Sequence, residues 1–387
     1  MGDGDIIDFE EVDKDTVEPD VLEQQFSKKY QLLTETAVSL KKSYVNKLHG
    51  TKSLKLVVSL ADNSLEVYEL NNTSLNRICR LSGHKKALTE VVFCPKEENL
   101  IYSTGQDGIV KLWDTRTGGT CVQEYQDDDD EQLLKQYECM DVSCNGRVLC
   151  TGSQLTQDDA YLVFWDNRNL KPLGGYWNSH TDDITQVKFH KQKTEVLSSG
   201  SLDGLLNIYN ILEPNEDDAL TYSLNVENSV EKITWLDEKQ VATITQSNDL
   251  QVWDTESGDL MMRHSRDKVA KSIKRSKGDD CYLVDTFTTE DDTTMLLAGS
   301  NGGNGDILRS VAVTEKKLQP STNFTNNKQT VRSCWYDKDR NLLVTTGESG
   351  LISVWSASDA DSWNKGGASN KLSTSLDKLQ VNRHKPY

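Results

Sequence analysis

Two sets of residues have the make-up of reacting centres. His84, Ser103, Asp107 and Trp113 form one, and His180, Ser199, Asp203 and Tyr209 form the other. In each set the histidine precedes the aromatic residue by 29 positions and the aspartate precedes it by six. Histidine beside such partners can bind a metal or serve in catalysis. The repeated spacing gives the same groups a structural use. A buried aspartate in a tight turn accepts from the imidazole, the imidazole meets the serine hydroxyl, and the hydroxyl meets the indole N–H. Every buried polar group then has a partner. In the second set the Tyr209 hydroxyl has to stand in for the indole. Both sets are read as structural tetrads, and no catalytic, metal or cofactor residue is assigned.

Other catalytic signals are absent from the sequence. There is no G-x-S-x-G, H-E-x-x-H or P-loop. Ser300-Asn-Gly-Gly-Asn-Gly305 is glycine-rich, but it joins two strands and precedes no helix, so it reads as a hairpin loop and not as a phosphate cradle. The eight cysteines include no C-x-x-C pair and no histidine at zinc spacing, which reads as reduced thiols of an intracellular protein, cytoplasmic or nuclear.

The elements that position these residues repeat. Val110-Lys-Leu-Trp113-Asp114, Leu162-Val-Phe-Trp165-Asp166, Leu206-Asn-Ile-Tyr209-Asn210 and Leu250-Gln-Val-Trp253-Asp254 end alike, and Leu351-Ile-Ser-Val-Trp355 lacks only the aspartate. Gaps from Trp113 are 52, 44 and 44 residues, and Tyr68 stands 45 residues before it. Runs such as Leu88–Phe93, Ile184–Phe189 and Val331–Trp335 alternate with period two, and turn residues at Asp62-Asn63, Asp107-Gly108 and Asp203-Gly204 separate the strands. This grammar resembles the WD-repeat family, which implies an all-β propeller. Seven blades are expected, near 42–81, 82–126, 136–176, 180–224, 225–264, 265–319 and 327–357. Residues 28–35 should supply the fourth strand of the last blade and close the ring. Residues 1–27 are expected to be a disordered acidic tail whose removal leaves the propeller folded, and 358–387 a flexible basic one. Blade seven has Asn326 where histidine is usual and Ser349 where aspartate is usual, so no tetrad is expected there.

A narrower resemblance follows from Asp158–Asp166, His180–His190, Ser199–Leu205 and Glu216–Leu220. These segments resemble the WD repeat-containing protein 89 family, and the similarity covers most of residues 30–357. It implies a seven-bladed propeller and no particular activity.

Charge narrows the partners. The net charge is −18, with −9 in residues 1–27, −6 in 124–131 and +4 in 364–387. Direct nucleic-acid binding would need a basic face and is not expected. No run approaches a membrane span, and the chain is taken as a monomer. Asp127, Asp128, Asp129, Asp130 and Glu131 fall between blades two and three, and Asp158 and Asp159 fall in the neighbouring blade. Together they would attract proteins with basic segments. Trp113-Asp-Thr-Arg116 and Trp165-Asp-Asn-Arg168 resemble the box by which substrate receptors of cullin-4 ubiquitin ligases face the ligase adaptor. Three readings follow: a non-enzymatic interaction scaffold, a cullin-4 substrate receptor through Arg116 and Arg168, and a propeller hydrolase using carboxylates in the central channel.

Overall fold

Period-two runs separated by short turns pair with their sequence neighbours, and the outcome is seven antiparallel sheets of four strands. The computed structural model describes residues 12–39, 43–71, 73–127, 133–314 and 316–357. Strands a to d run from the channel outward. Blade one begins at Val45–Gly50, blade two at Leu88–Cys94, blade three at Tyr137–Val142 and blade four at Ile184–Phe189. Blade five begins at Val230–Trp235, blade six at Cys281–Thr288 and blade seven at Val331–Asp337. Antiparallel alternation puts the d–a and b–c connections on one face, called the top, and the a–b and c–d connections on the bottom.

The core is divided into seven clusters, each shared by two adjacent blades. Trp113 of blade two packs on Leu65 and Val67 of blade one, and Trp165 of blade three packs on Tyr102 and Tyr125 of blade two. The seventh cluster joins Ile352 and Val354 of blade seven to Leu56 and Val58 of blade one. Strands b and c are therefore apolar on both faces, while an outer strand such as Thr120–Gln126 is largely exposed.

Strand Tyr30–Ala37 pairs antiparallel with Leu351–Ala357, with Leu32 opposite Trp355. It supplies the fourth strand of blade seven, so one blade is built from two distant parts of the chain and the ring is closed, with each blade ending in a short outer strand.

Each strand a carries a register shift near its top. The residue that follows it in six blades, Lys47, Glu90, Gln186, Lys232, Asp285 or Ser333, lines the central channel. A bulge re-aims the next side chain, and here it sets the alternation by which Lys47 and His49, Gln186 and Lys188, and Lys232 and Thr234 face the channel.

Two boundaries differ from the sequence reading. Blade six spans Cys281–Asn323 and not 265–319, because residues 265–280 form a helix, Arg266–Ser272, and a loop above it. Residues 12–27 are not a tail. Asp13 is buried, Pro19–Gln25 is helical, and Phe26 is buried under the guanidinium of Arg309, 5.3 Å from its ring centre. Asp13 bonds Arg275, and Asp15 bonds both Arg275 and Arg309, so the arm is held by charge as well as by packing. Residues 1–11 and the basic segment 358–387 lie outside the described residues.

Candidate functional site

The first tetrad is assembled in blade two. His84 Nδ1 lies 3.0 Å from Asp107 Oδ1, its Nε2 lies 2.8 Å from Ser103 Oγ, and Trp113 Nε1 donates to the same Oγ at 2.8 Å. Since the serine accepts from the indole, its proton goes to His84 Nε2, and Nδ1 keeps the proton that Asp107 accepts. Burial pushes the Asp107 carboxyl up, but His84 and the Lys85 N–H hold it below the ordinary value. The hydroxyl is occupied on both sides, so it is a strut.

The second set meets in blade four. His180 Nδ1 is 2.9 Å from Asp203 Oδ2, and Nε2 is 2.7 Å from Ser199 Oγ. The Tyr209 hydroxyl lies 3.3 Å from Ser199 Oγ and 2.7 Å from Ser179 Oγ. Asn207 also donates to it at 3.2 Å. Ser179 and Asn207 make up for the longer Tyr209–Ser199 separation.

Blade seven keeps half of the device. Trp355 Nε1 donates to Thr345 Oγ1 at 2.9 Å. In place of histidine and aspartate, buried Gln329 accepts from the N–H groups of Ser349 and Leu351 and donates to the Leu351 carbonyl at 2.9 Å. The amide has both a donor and an acceptor, so one side chain ties the b–c turn. The sequence reading did not single out Gln329, because it stands three residues beyond the position where histidine is usual.

On the top face, three loops around blade three are linked. Glu138 Oε1 accepts from Gln106 at 2.9 Å and from Gln154 at 2.6 Å, and the Leu155 N–H donates to Asp183 Oδ1 at 2.7 Å. Asp158 is exposed and Asp159 half-buried in the same b–c loop, and Asp182 is half-buried next to Asp183. Trp177, Leu134 and Leu155 are 46%, 47% and 41% exposed nearby along the chain. Asp127 turns inward: Lys135, itself buried, donates to it at 2.6 Å and lies 4.6 Å from the Tyr161 ring centre. Asp127 therefore contributes little charge to the surface. Gly108, at φ 72°, makes room for the loop, since a Cβ there would meet the Lys135 carbonyl at 2.8 Å. Asp128, Asp129, Asp130 and Glu131 lie outside the described residues.

On the bottom face, Arg116 pairs with Asp114 through two bonds of 3.0 and 2.8 Å and is 58% exposed. Arg168 pairs with Asp166 at 2.8 and 2.6 Å and is 66% exposed. Hydrogen bonds from Arg168 lead the causes that pull the Asp166 carboxyl far below its ordinary value, and Arg147 adds to them. Both box arginines thus lie on one face, each fixed by the aspartate of its own box.

The channel collects charge of both signs. Lys47 bonds Glu90 at 3.1 Å, Lys232 lies 3.6 Å from Asp285, and Asp141 accepts from the Phe189 N–H at 2.7 Å. Lys188 lies among these acids; burial opposes its charge, but Glu90, Asp141 and Asp285 raise its pKa. Burial likewise raises the Asp141 carboxyl against the pull of Lys188. The cavity they line is about 290 Å³, and a second of about 780 Å³ opens below it among Lys191, Phe287, Trp335 and Tyr336. Among the described residues no group of three His, Cys, Asp or Glu side chains is placed to hold a metal ion. No helix among them is long and apolar enough to cross a membrane.

The model of the WD domain, G-beta repeat, matches residues 75–114, 171–210 and 318–356. The chain is 26% identical to the WD repeat-containing protein 89 homolog of Dictyostelium discoideum over 351 residues, 89% of this chain and 92% of that relative. It is 24% identical to WD repeat-containing protein GTS1 of Arabidopsis thaliana over 86% of each chain. It is 23% identical to an uncharacterized WD repeat-containing protein of Schizosaccharomyces pombe, over 78% of this chain and 91% of that one. Such propellers generally serve as protein-interaction scaffolds. The chain is a seven-bladed WD-repeat propeller, similar along most of its length to the WD repeat-containing protein 89 homolog.

Proposed function

We propose that the protein is a non-enzymatic scaffold that binds basic protein segments on the top face of blades three and four. The observation that carries this reading is the group of carboxylates at the top of blade three: Glu138 at the start of strand Tyr137–Val142, Asp158 and Asp159 on the b–c loop, and Asp182 and Asp183 on the d–a loop that follows, with Gln154 and Leu155 of the b–c loop bonded to Glu138 and Asp183. A surface of one sign raises the encounter rate and selects the opposite sign. Exposed Trp177 and Leu155 add apolar contact beside the charge. The tetrad serines and histidines are already bonded to one another, and the channel carboxylates sit among lysines. Both favour a scaffold over a hydrolase.

The test is binding of a labelled lysine- and arginine-rich peptide to the whole chain. Replacing Asp158, Asp159 and Asp182 together by asparagine should weaken it about tenfold and flatten its salt dependence. Equal binding by wild type and triple variant would end this reading.

A second reading is favoured by the placement of Arg116 and Arg168. Both are more than half exposed on the bottom face, where an adaptor of a cullin-4 ligase would dock while a client sits above. The double change Arg116→Ala, Arg168→Ala should then abolish recovery of the adaptor, and undiminished recovery would refute it.

A further inference from the structure

We propose that the bottom of blade three is a docking site for an acidic protein segment, gripped by Arg147 and Arg168. The two guanidiniums meet at one oxygen: Asp166 Oδ2 lies 3.2 Å from Arg147 Nε and 2.6 Å from Arg168 Nη2. Two cations on one carboxylate leave a net positive charge, in a chain whose total is −18. Both Nη atoms of Arg147 and Nη1 of Arg168 have no acceptor among the described residues, and the side chains are 56% and 66% exposed. These N–H groups are donors in fixed forks, the arrangement that receives carboxylate oxygens in pairs.

The loops that carry the two arginines are cross-tied. Asn167 Nδ2 donates to the Gly146 carbonyl at 2.7 Å, and the Asn167 N–H donates to the Arg147 carbonyl at 2.9 Å. Tyr125 of blade two donates its hydroxyl to the Asn167 carbonyl at 3.0 Å. The Arg147 N–H donates to Asn145 Oδ1, and the Arg168 N–H to Asp166 Oδ1, both at 3.0 Å. Little freedom is left to lose on binding, so a charged contact here keeps more of its energy than one between mobile side chains. Lys171 and Lys96 are exposed on the adjoining c–d and a–b loops and extend the positive surface. A phosphate backbone presents the same kind of acceptor, but it would bring many charges toward an acidic body. A short acidic peptide brings only the few that this site can meet. Arg168 is shared with the adaptor reading, but Arg147 lies outside the Trp-Asp-x-Arg box, so the Arg147 variants test this site apart from that reading.

The experiment uses the whole chain and a fluorescein-labelled peptide of about twelve residues, alternating Glu and Asp with Gly, read by anisotropy at low and moderate salt. A single-stranded oligonucleotide of similar length is run beside it. Arg147→Gln and Arg168→Gln should each weaken peptide binding severalfold, and the pair about tenfold or more. Arg263→Gln, which removes the same charge from blade five, should change it less than twofold. Melting curves are recorded for each variant, and Arg147→Lys, which keeps the charge without the fork, should fall between wild type and Arg147→Gln. Absence of binding to wild type, an equal loss in Arg263→Gln, or tighter binding of the oligonucleotide would overturn the proposal.

Discussion

Arg309 and Asp15 stand 294 residues apart and meet in a two-pronged ion pair, with Nη1 2.6 Å from Oδ1 and Nη2 3.0 Å from Oδ2. Arg309 is almost wholly buried, and Asp15 is about one-third open to water. Asp15 also takes a bond of 2.9 Å from Arg275, and Asp13 takes one of 2.8 Å from the same guanidinium. Blade six, which has no tryptophan, is thus buttressed from a distant part of the chain.

Deleting residues 1–17 should therefore destabilise the propeller while leaving it folded. Removing one partner from a buried ion pair costs about 3–5 kcal/mol. The deletion strips Asp15, which is partly exposed, and also Asp13, whose pair with Arg275 is fully buried, so the expected loss is at least about 4 kcal/mol. Urea denaturation measures it. Adding Arg275→Met and Arg309→Met should recover part of the loss, because the stranded cations are then gone. A truncated chain as stable as the full one would show that the arm only rests on blade six.

The two kinds of aromatic tie predict different costs. Ser103 serves two buried partners, His84 and Trp113, whereas Thr345 serves Trp355. Ser103→Ala strands both groups and should cost about 2–4 kcal/mol, while Thr345→Val strands one and should cost about 1–2 kcal/mol. Equilibrium unfolding of both variants checks the ratio, and equal costs would mean that the His84 bond adds nothing.

What could be read from the sequence follows the same division. The blades with Trp-Asp endings and the two tetrads are local grammar: every member lies within 29 positions of its aromatic residue, and one blade's sheet brings them together. Strand Tyr30–Ala37 could be found by the need to close a ring. Strand Cys281–Thr288 is less legible, because the register shift between Leu283 and Asp285 breaks its alternation in mid-strand, where the other inner strands shift at their first residues. Its support, Arg309 with Asp15, depends on a pairing that no spacing encodes. Two acidic signals also misled in part. Asp13 and Asp15 read as tail charge but are partners of arginines, and Asp127 read as surface charge but lies against Lys135. Charge counted along a chain does not tell which carboxylates already have a cation.

Glu216 is a clearer case of a motif whose purpose appears only in the fold. Its buried carboxylate accepts from three consecutive backbone N–H groups, Trp177 at 2.7 Å, Asn178 at 3.0 Å and Ser179 at 2.8 Å. These residues lead directly into His180 and carry the exposed Trp177. An amide oxygen is a weaker acceptor than a carboxylate, so Glu216→Gln should cost about 2 kcal/mol. Hydrogen exchange at the amides of 177–179 should quicken at least tenfold, while the strands of blade one keep their protection. Unchanged exchange at those three amides would refute the clamp.

The channel gives the protein a pH response of defined sign. Burial pushes the His49 pKa down to about 4, the charge of Lys188 adds to this, and Glu90 opposes it. Nδ1 of His49 also accepts from the Phe93 N–H at 3.3 Å, a bond available only to the neutral ring on that side. In the unfolded chain His49 titrates near the usual value of about 6.5. Between pH ~6.5 and ~4 the unfolded state therefore holds more protons on this group than the native state. Stability from His49 is complete above pH ~6.5 and is lost progressively as pH falls toward 4. The ring is partly open to the channel, so the loss is on the order of 1–2 kcal/mol. Unfolding free energies of wild type and His49→Gln, measured at pH 7 and pH 4.5, isolate this contribution from that of the carboxylates, which both proteins share. The wild type should lose the larger amount over that interval. Equal losses, or a larger loss in the variant, would show that His49 is not held neutral by the folded channel.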